Sequence, residues 1–354
     1  MDHLPEHIRE QLEAQKDQCI FCKILKGEIE SKKVYDDGVL CVLLDINPGA
    51  KGHALVMPKE HYPILPLISP AEFDRLFGLM PRFVDALNSA ILSEGAAIFM
   101  ANGAAAGQQS PHFLVHLIPR ERDDGLFDFS RQAVDHTAIA TLEGQVRKIL
   151  ALMLQKHVGF VPIEGDALLQ SDSIVVSRSA VEQIAGHLEI RPASGKKLTE
   201  LSSEDSAMLF RAASLASTAL FENLECEATN IIADTREGFV IHIIPRTSSD
   251  GLNLMWNPLS SPPDLSAVAS ALDKTFFKVQ VAAEKGDFDL PALSRSPLEE
   301  LATKQPAQAS GAREVEPRQE RSIRPPLSEP RAPQGARHDD RARIEAAYER
   351  LRRV

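Results

Sequence analysis

Residues 112–126 read HFLVHLIPRERDDGL, and HIIPRTSSDGL returns at 242–252. A second pair of segments repeats in the same order, KGHALVMP at 51–58 and AGHLEIRP at 185–192. The segments between them match in character, SPAEFDRLFGLM at 69–80 against SSEDSAMLFRAA at 202–213. The second copy is the shorter one in its middle. Self-similarity of this kind marks an internal duplication, with the boundary expected near residue 157. The expected organisation is an N-terminal helical extension (1–17), a first domain (18–156), a degenerate second domain (157–285) and a tail (286–354).

Working outward, residues 3–16 fit a short amphipathic helix with Leu4, Ile8 and Leu12 on one face. Buried strands are predicted at 39–46 and 53–58, the second stopped by Pro58. Ser69, Pro70 and Glu72 form a helix start, and Pro81 should interrupt the helix that follows. Further strands are predicted at 96–102 and 112–118, then a helix over 134–155. The second copy is expected to end near 280. From 291 to 337 the chain is rich in Pro, Arg, Glu, Gln, Ala and Ser, with few large apolar residues to offset the entropy of ordering, so it is predicted disordered. Ile344, Tyr348 and Leu351 allow a short terminal helix, which alone is marginal in water.

The chain has 354 residues and is 44% hydrophobic, enough for two domains with ordinary cores. A net charge of −11 disfavours a duplex-binding surface on the folded part. No apolar run reaches membrane-span length, and MDHLPEHIREQLEAQ is too polar for a secretory signal, so a cytoplasmic location is expected. Of the four cysteines, Cys19 and Cys22 form a C-x-x-C pair, which reads as metal or redox chemistry. Cys41 and Cys226 read as buried packing residues. No glycine-rich dinucleotide fingerprint or P-loop pattern is present.

Two stretches carry a family resemblance: residues 19–62, CIFCKILKGEIESKKVYDDGVLCVLLDINPGAKGHALVMPKEHY, and residues 101–120, ANGAAAGQQSPHFLVHLIPR. Together they resemble the histidine-triad family, over about 18–130 and more weakly over 165–260. The resemblance implies an α+β fold, each copy a mostly antiparallel sheet with a packed helix, joined as an intrachain pseudo-dimer. It also implies nucleotide binding, with cleavage or transfer of a nucleoside monophosphate group. The family signature is three alternating histidines preceded by Gly-Gln. Gly107 and Gln108 stand in place, and so do His112 and His116, but the middle position is Leu114. Were this stretch a strand, the three side chains would share one face. In the family the middle histidine is the nucleophile. Leucine has no lone pair, so the usual covalent route is closed.

The resemblance further implies a structural Zn²⁺ held by Cys19, Cys22, His61 and His112, a donor set suited to a closed tetrahedral site. The redox alternative lacks the βαβ setting of a thioredoxin-like motif. By the same resemblance Asp45 accepts from ribose hydroxyls. Asn102 lies near the phosphate, Gly107 and Gln108 form the approach to it, and His53 borders the pocket. His116 and Gln108 are the remaining catalytic candidates. Arg120 reads as structural, because Pro-Arg recurs at Pro245-Arg246. In the second copy Gly238, Val240 and Ser179 replace His112, Leu114 and Asp45. His242 and Gly186-His187 remain as framework.

Three functions are therefore carried forward. One is a purine-nucleotide-binding protein (AMP, GMP or a dinucleoside polyphosphate) with reduced or absent hydrolase activity. Another is an active hydrolase or nucleotidyltransferase using His116 and His112 in an unusual way. The third is a zinc-stabilised scaffold whose tail recruits protein or nucleic acid.

Overall fold

A computed structural model of the chain describes residues 3–127, 167–223, 226–236 and 238–285, with a few positions between 128 and 166. The helix expected at 134–155, the boundary near 157 and the tail with its terminal helix lie largely or wholly outside the described residues.

The N-terminus forms helix α1 (Glu6–Lys16), which buries Ile8 and Leu12 as their spacing requires. A short helix α2 (Ile20–Lys26) follows and ends on Gly27 at φ +82°, a left-handed cap that glycine adopts without penalty. Strands β1 (Lys33–Asp36), β2 (Leu40–Leu44) and β3 (Ala54–Pro58) form a meander. Ser69 caps α3 (Pro70–Gly78), accepting from the Glu72 N–H. A break at Leu79 separates it from α4 (Met80–Ile91), so the interruption expected from Pro81 falls two residues before it. Pro81 lies in the first turn of α4, where its missing N–H costs nothing.

Strands β4 (Gly95–Asn102) and β5 (Val115–Arg120) complete the first half. The second half comprises β6 (Ala167–Gln170), β7 (Ile174–Arg178), β8 (Leu188–Pro192), α5 (Ser203–Asn223), β9 (Ala228–Asp234) and β10 (Val240–Arg246). A last helix, α6 (Leu265–Glu284), is capped by Asp264. Its apolar face (Val268, Leu272, Phe276, Val279) went unread in the sequence.

All ten strands lie in one sheet of order β1-β2-β3-β5-β4-β9-β10-β8-β7-β6, and every described pairing is antiparallel. The second five strands repeat the order of the first five, mirrored about β4–β9. There Ala97 to Asn102 pair with Asp234 to Thr229, so each half covers the other's open edge. One apolar core runs under both halves. Phe77 of α3 stacks on Phe210 of α5 at 4.5 Å, and Phe83 of α4 on Phe276 of α6 at 5.8 Å. Arg211 of α5 is fully buried, pairs with Asp74 of α3 at 2.6 Å and lies over Phe73.

One expectation fails locally. The strand predicted from 112 begins only at Val115. His112 therefore precedes it and points elsewhere than Leu114 and His116.

Candidate functional site

Two side-chain clusters lie in the first half. The first gathers Cys19, Cys22, His61 and His112, all buried, with their ligand atoms within 4.8 Å of one another. Cys19 caps α2 and Cys22 lies in its first turn. His61 follows β3, and His112 sits in the irregular run before β5. Cys22 Sγ is 3.3 Å from His61 Nδ1 and 3.6 Å from His112 Nδ1, and Cys19 Sγ is 3.7 Å from His112 Nδ1. Ordinary zinc–sulfur and zinc–nitrogen bond lengths put S and N about 3.5 Å apart in a tetrahedron. The outer ring nitrogens are engaged elsewhere: His112 Nε2 donates to Pro58 O (2.9 Å), and His61 Nε2 lies 3.4 Å from Gln15 Oε1. That leaves both Nδ1 lone pairs aimed into the cluster, the arrangement in which outer hydrogen bonds orient metal-binding imidazoles.

Burial pushes His61 and His112 down to about 4, so both are neutral and ligand-competent near pH 7. Burial, then the neighbouring Cys19, push Cys22 up to about 12. A thiolate there needs a cation beside it. The four residues fit a metal ion.

The second cluster is Asp45, His53 and His116. Asp45 ends the β2 run, His53 opens β3 and His116 lies on β5. The Gly49 N–H donates to His53 Nδ1 (3.1 Å), so this nitrogen is an acceptor and the proton of neutral His53 sits on Nε2. His53 Nε2–H then donates to His116 Nδ1 at 3.1 Å. By the same logic neutral His116 keeps its proton on Nε2. Asp45 Oδ2 lies 3.7 Å from His53 Nε2 and 3.8 Å from His116 Nδ1, while its Oδ1 accepts from the Asn47 N–H. Burial pushes His116 down to about 3, His53 well below its ordinary value and Asp45 upward. The cleft offers a carboxylate and a neutral N–H donor.

Leu114 is half-buried among Phe21 and Leu25 of α2, against Leu43, Leu55 and Met57. It packs against an apolar cluster that also takes Ile24 and Cys41. Gln108 spends its side chain on backbone groups, tying its own loop to the segment after β3. Its Oε1 accepts from Gly103 N–H (2.8 Å), and its Nε2 donates to Pro63 O and Ser110 O. That is a positioning role for the loop rather than a group presented to a ligand. Asn102 is buried and accepts from Leu65 N–H, and among the described residues no acceptor meets its Nδ2. Arg120 is fully buried, paired with Asp124 (2.6 Å) and Asp234 (2.9 Å), so it is structural as expected.

The sequence reading missed the segment after β10. Trp256 lies 4.8 Å from the His53 ring, 4.7 Å from His116 and 5.5 Å from Phe99. A Cβ on Gly49 would meet Trp256 at 2.6 Å, and one on Gly107 would meet Met255 Sδ at 2.7 Å. Leu259 N–H donates to Pro48 O at 2.8 Å. Residues 255–259 thus form a strap from the second half over the first half's cleft. Two glycines, one of them predicted to face phosphate, are the floor it rests on. The available signal was that Trp256 is the chain's only tryptophan.

The HIT domain family description matches residues 26–123. A protein of Arabidopsis thaliana named adenylylsulfatase HINT3 is 38% identical over 112 residues, which is 32% of this chain and 57% of that one. The match thus spans little more than half of the Arabidopsis protein. A HIT-like protein of Borreliella burgdorferi is 43% identical over 116 residues, covering 32% of this chain and 82% of its own length. The adenosine 5'-monophosphoramidase hnt1 of Schizosaccharomyces pombe is 35% identical over 106 residues, 30% of this chain and 77% of that protein. With its sheet-and-helix fold and 43% identity over most of a HIT-like protein, the chain belongs to the HIT family.

Proposed function

We propose that the chain binds a purine nucleoside phosphate, AMP, GMP or part of a dinucleoside polyphosphate, in the cleft of Asp45, His53 and His116, with hydrolase activity reduced or absent. The observation that carries this reading is Leu114. It stands at the nucleophile position of the family motif and is packed into the apolar layer under α2. Two relatives bear names of enzymes acting on adenylyl compounds, which supports a purine nucleotide as ligand. Asp45 suits a ribose diol, and His116 Nε2–H suits a phosphate oxygen. His112 is a metal ligand in this reading and takes no part in proton transfer. Cys19, Cys22, His61 and His112 hold a structural Zn²⁺, supported by their sulfur–nitrogen separations of 3.3–3.7 Å. The two halves are an intrachain pseudo-dimer of HIT-like units, supported by the mirrored strand order.

The test is turnover of adenosine 5'-phosphoramidate and adenylyl sulfate by the zinc-loaded full chain, beside Leu114→His and His116→Ala. The expected result is AMP binding with little turnover, and a gain of about 10²-fold or more in Leu114→His, since nucleophile loss costs several orders of magnitude in related logic. Rapid turnover by the unaltered protein, stopped by His116→Ala, would overturn the reading.

A further inference from the structure

The second half was read from sequence as a stripped framework, its Asp45 equivalent replaced by Ser179. The structure places a different carboxylate in the same spot. In the first half, Leu55 of β3 stands directly across from His116 of β5. In the second, the corresponding pair is Glu189 of β8 and His242 of β10. Glu189 Oε1 lies 3.8 Å from His242 Nδ1, the same separation as Asp45 Oδ2 from His116 Nδ1. Ser179 donates its hydroxyl to Glu189 Oε1 at 2.7 Å, and the Ala180 N–H donates to it at 3.0 Å. The acid has moved from the loop to the strand, and the residue left in the loop now holds it.

The imidazole pair repeats with equal fidelity. Gln183 N–H donates to His187 Nδ1 (3.2 Å), so His187 Nε2–H donates to His242 Nδ1 (3.1 Å). His242 therefore keeps an Nε2–H donor, as His116 does. An aromatic ring again lies over the pair: Phe129, from the segment after β5, sits 5.0 Å from His242 and 5.9 Å from His187. Arg191, two residues beyond Glu189 on the same face, takes the place of Met57. It donates to Ser177 Oγ at 3.1 Å with 47% of its side chain exposed.

A buried carboxylate is costly unless it is hydrogen-bonded or paired, and leucine at this strand position is what the first half uses. Glu189 supplies the second half's acceptor for a ribose diol through Oε2, and Arg191, whose guanidinium lies 4.0 Å from that oxygen, adds a cation for phosphate that the first half lacks at Met57. We propose that the second half carries its own nucleoside 5'-monophosphate site, built on Glu189, His187, His242 and Arg191. This rests on the reading that the Asp45 cleft binds a nucleotide, since it assigns the same ligand class by geometric equivalence.

The test uses AMP and the full chain with two readouts. Calorimetric titration counts all sites. Trp256 fluorescence reports only the first cleft, because the chain has one tryptophan and it lies there. The expected result is two sites by calorimetry. Asp45→Ala should leave one site that is silent in fluorescence. Glu189→Gln should weaken that site by about tenfold or more, as loss of a charged acceptor does. The double variant Ser179→Asp/Glu189→Leu, which returns the acid to its first-half position, should bind AMP at the second site again, an outcome that a mere loop tether does not predict. A single site in the unaltered protein, abolished by Asp45→Ala and indifferent to Glu189→Gln, would overturn the proposal while leaving the first cleft standing. A single site lost with Glu189→Gln and unaffected by Asp45→Ala would support it and overturn the first-cleft reading. Absence of any AMP binding would overturn both.

Discussion

His112 and His116 lie four residues apart, yet they serve different clusters because β5 does not start until Val115. The irregular run before it lets His112 turn inward to the cysteines, with Pro58 O holding its outer nitrogen. His116 stays on the strand face beside His53 and Asp45. The four cluster residues could be named together from sequence because each sits in a recognisable motif, and Asp45, His53 and His116 could be assigned to one pocket, but not their mutual contacts. The exit of His112 from the strand was not legible, since alternation in HFLVH reads as strand up to its first residue. A falsifiable consequence concerns the metal. Cys22→Ser should give protein without bound zinc and cost about 3 kcal/mol or more of stability, because a closed metal site contributes folding energy directly. Chelator should lower the melting temperature of the unaltered protein and leave that of Cys22→Ser unmoved. A variant that melts with the unaltered protein, and a chelator without effect, would remove the structural metal from this account.

The strap over the cleft illustrates what a linear reading cannot deliver. NLMWNP, residues 253–258, lies just past the repeated motif and matches no motif of its own. Its meaning lies in contacts with residues far earlier in the chain, Pro48, Gly49 and Gly107. The helices were legible where a cap and an apolar stripe coincide, as at Ser69. Helix α6 has both, in Asp264 and its buried face, but lies beyond the repeated motifs that guided the reading. Gly49 allows a sharp test of the strap. Its Cβ would fall 2.6 Å from Trp256 Cδ1 and 2.8 Å from Cγ, too close for either to stay, while its backbone is in no left-handed conformation. Gly49→Ala should therefore displace the indole and shift its emission to the red, with zinc content unchanged. Emission identical to that of the unaltered protein would mean that the strap does not rest on Gly49 in solution.

The assembled molecule is held together by more than the seam between β4 and β9. Helix α6, which follows the second half in sequence, packs on the first, its Phe276 stacked on Phe83 of α4. Arg211 of the second half is buried against Asp74 of the first, and Ser206 Oγ donates to Phe77 O at 2.7 Å. The apolar core is continuous under both halves. These links fix the strand order of the second half. Its β9 covers an edge, its α5 completes the core, and its strap packs on Gly49 and Gly107 of the first half. Two halves so interlocked should unfold together, because neither retains its core when the other is lost. Phe276→Ala supplies the decisive experiment, since Phe276 is fully buried at that junction. Truncating a buried phenylalanine costs about 3–5 kcal/mol. Calorimetry should show one transition in the unaltered protein, and one transition at lower temperature in the variant. If α6 belonged energetically to the second half alone, the variant would instead resolve into two transitions. The one reported by Trp256 would then stay at its original temperature, and that result would refute the interlocked account.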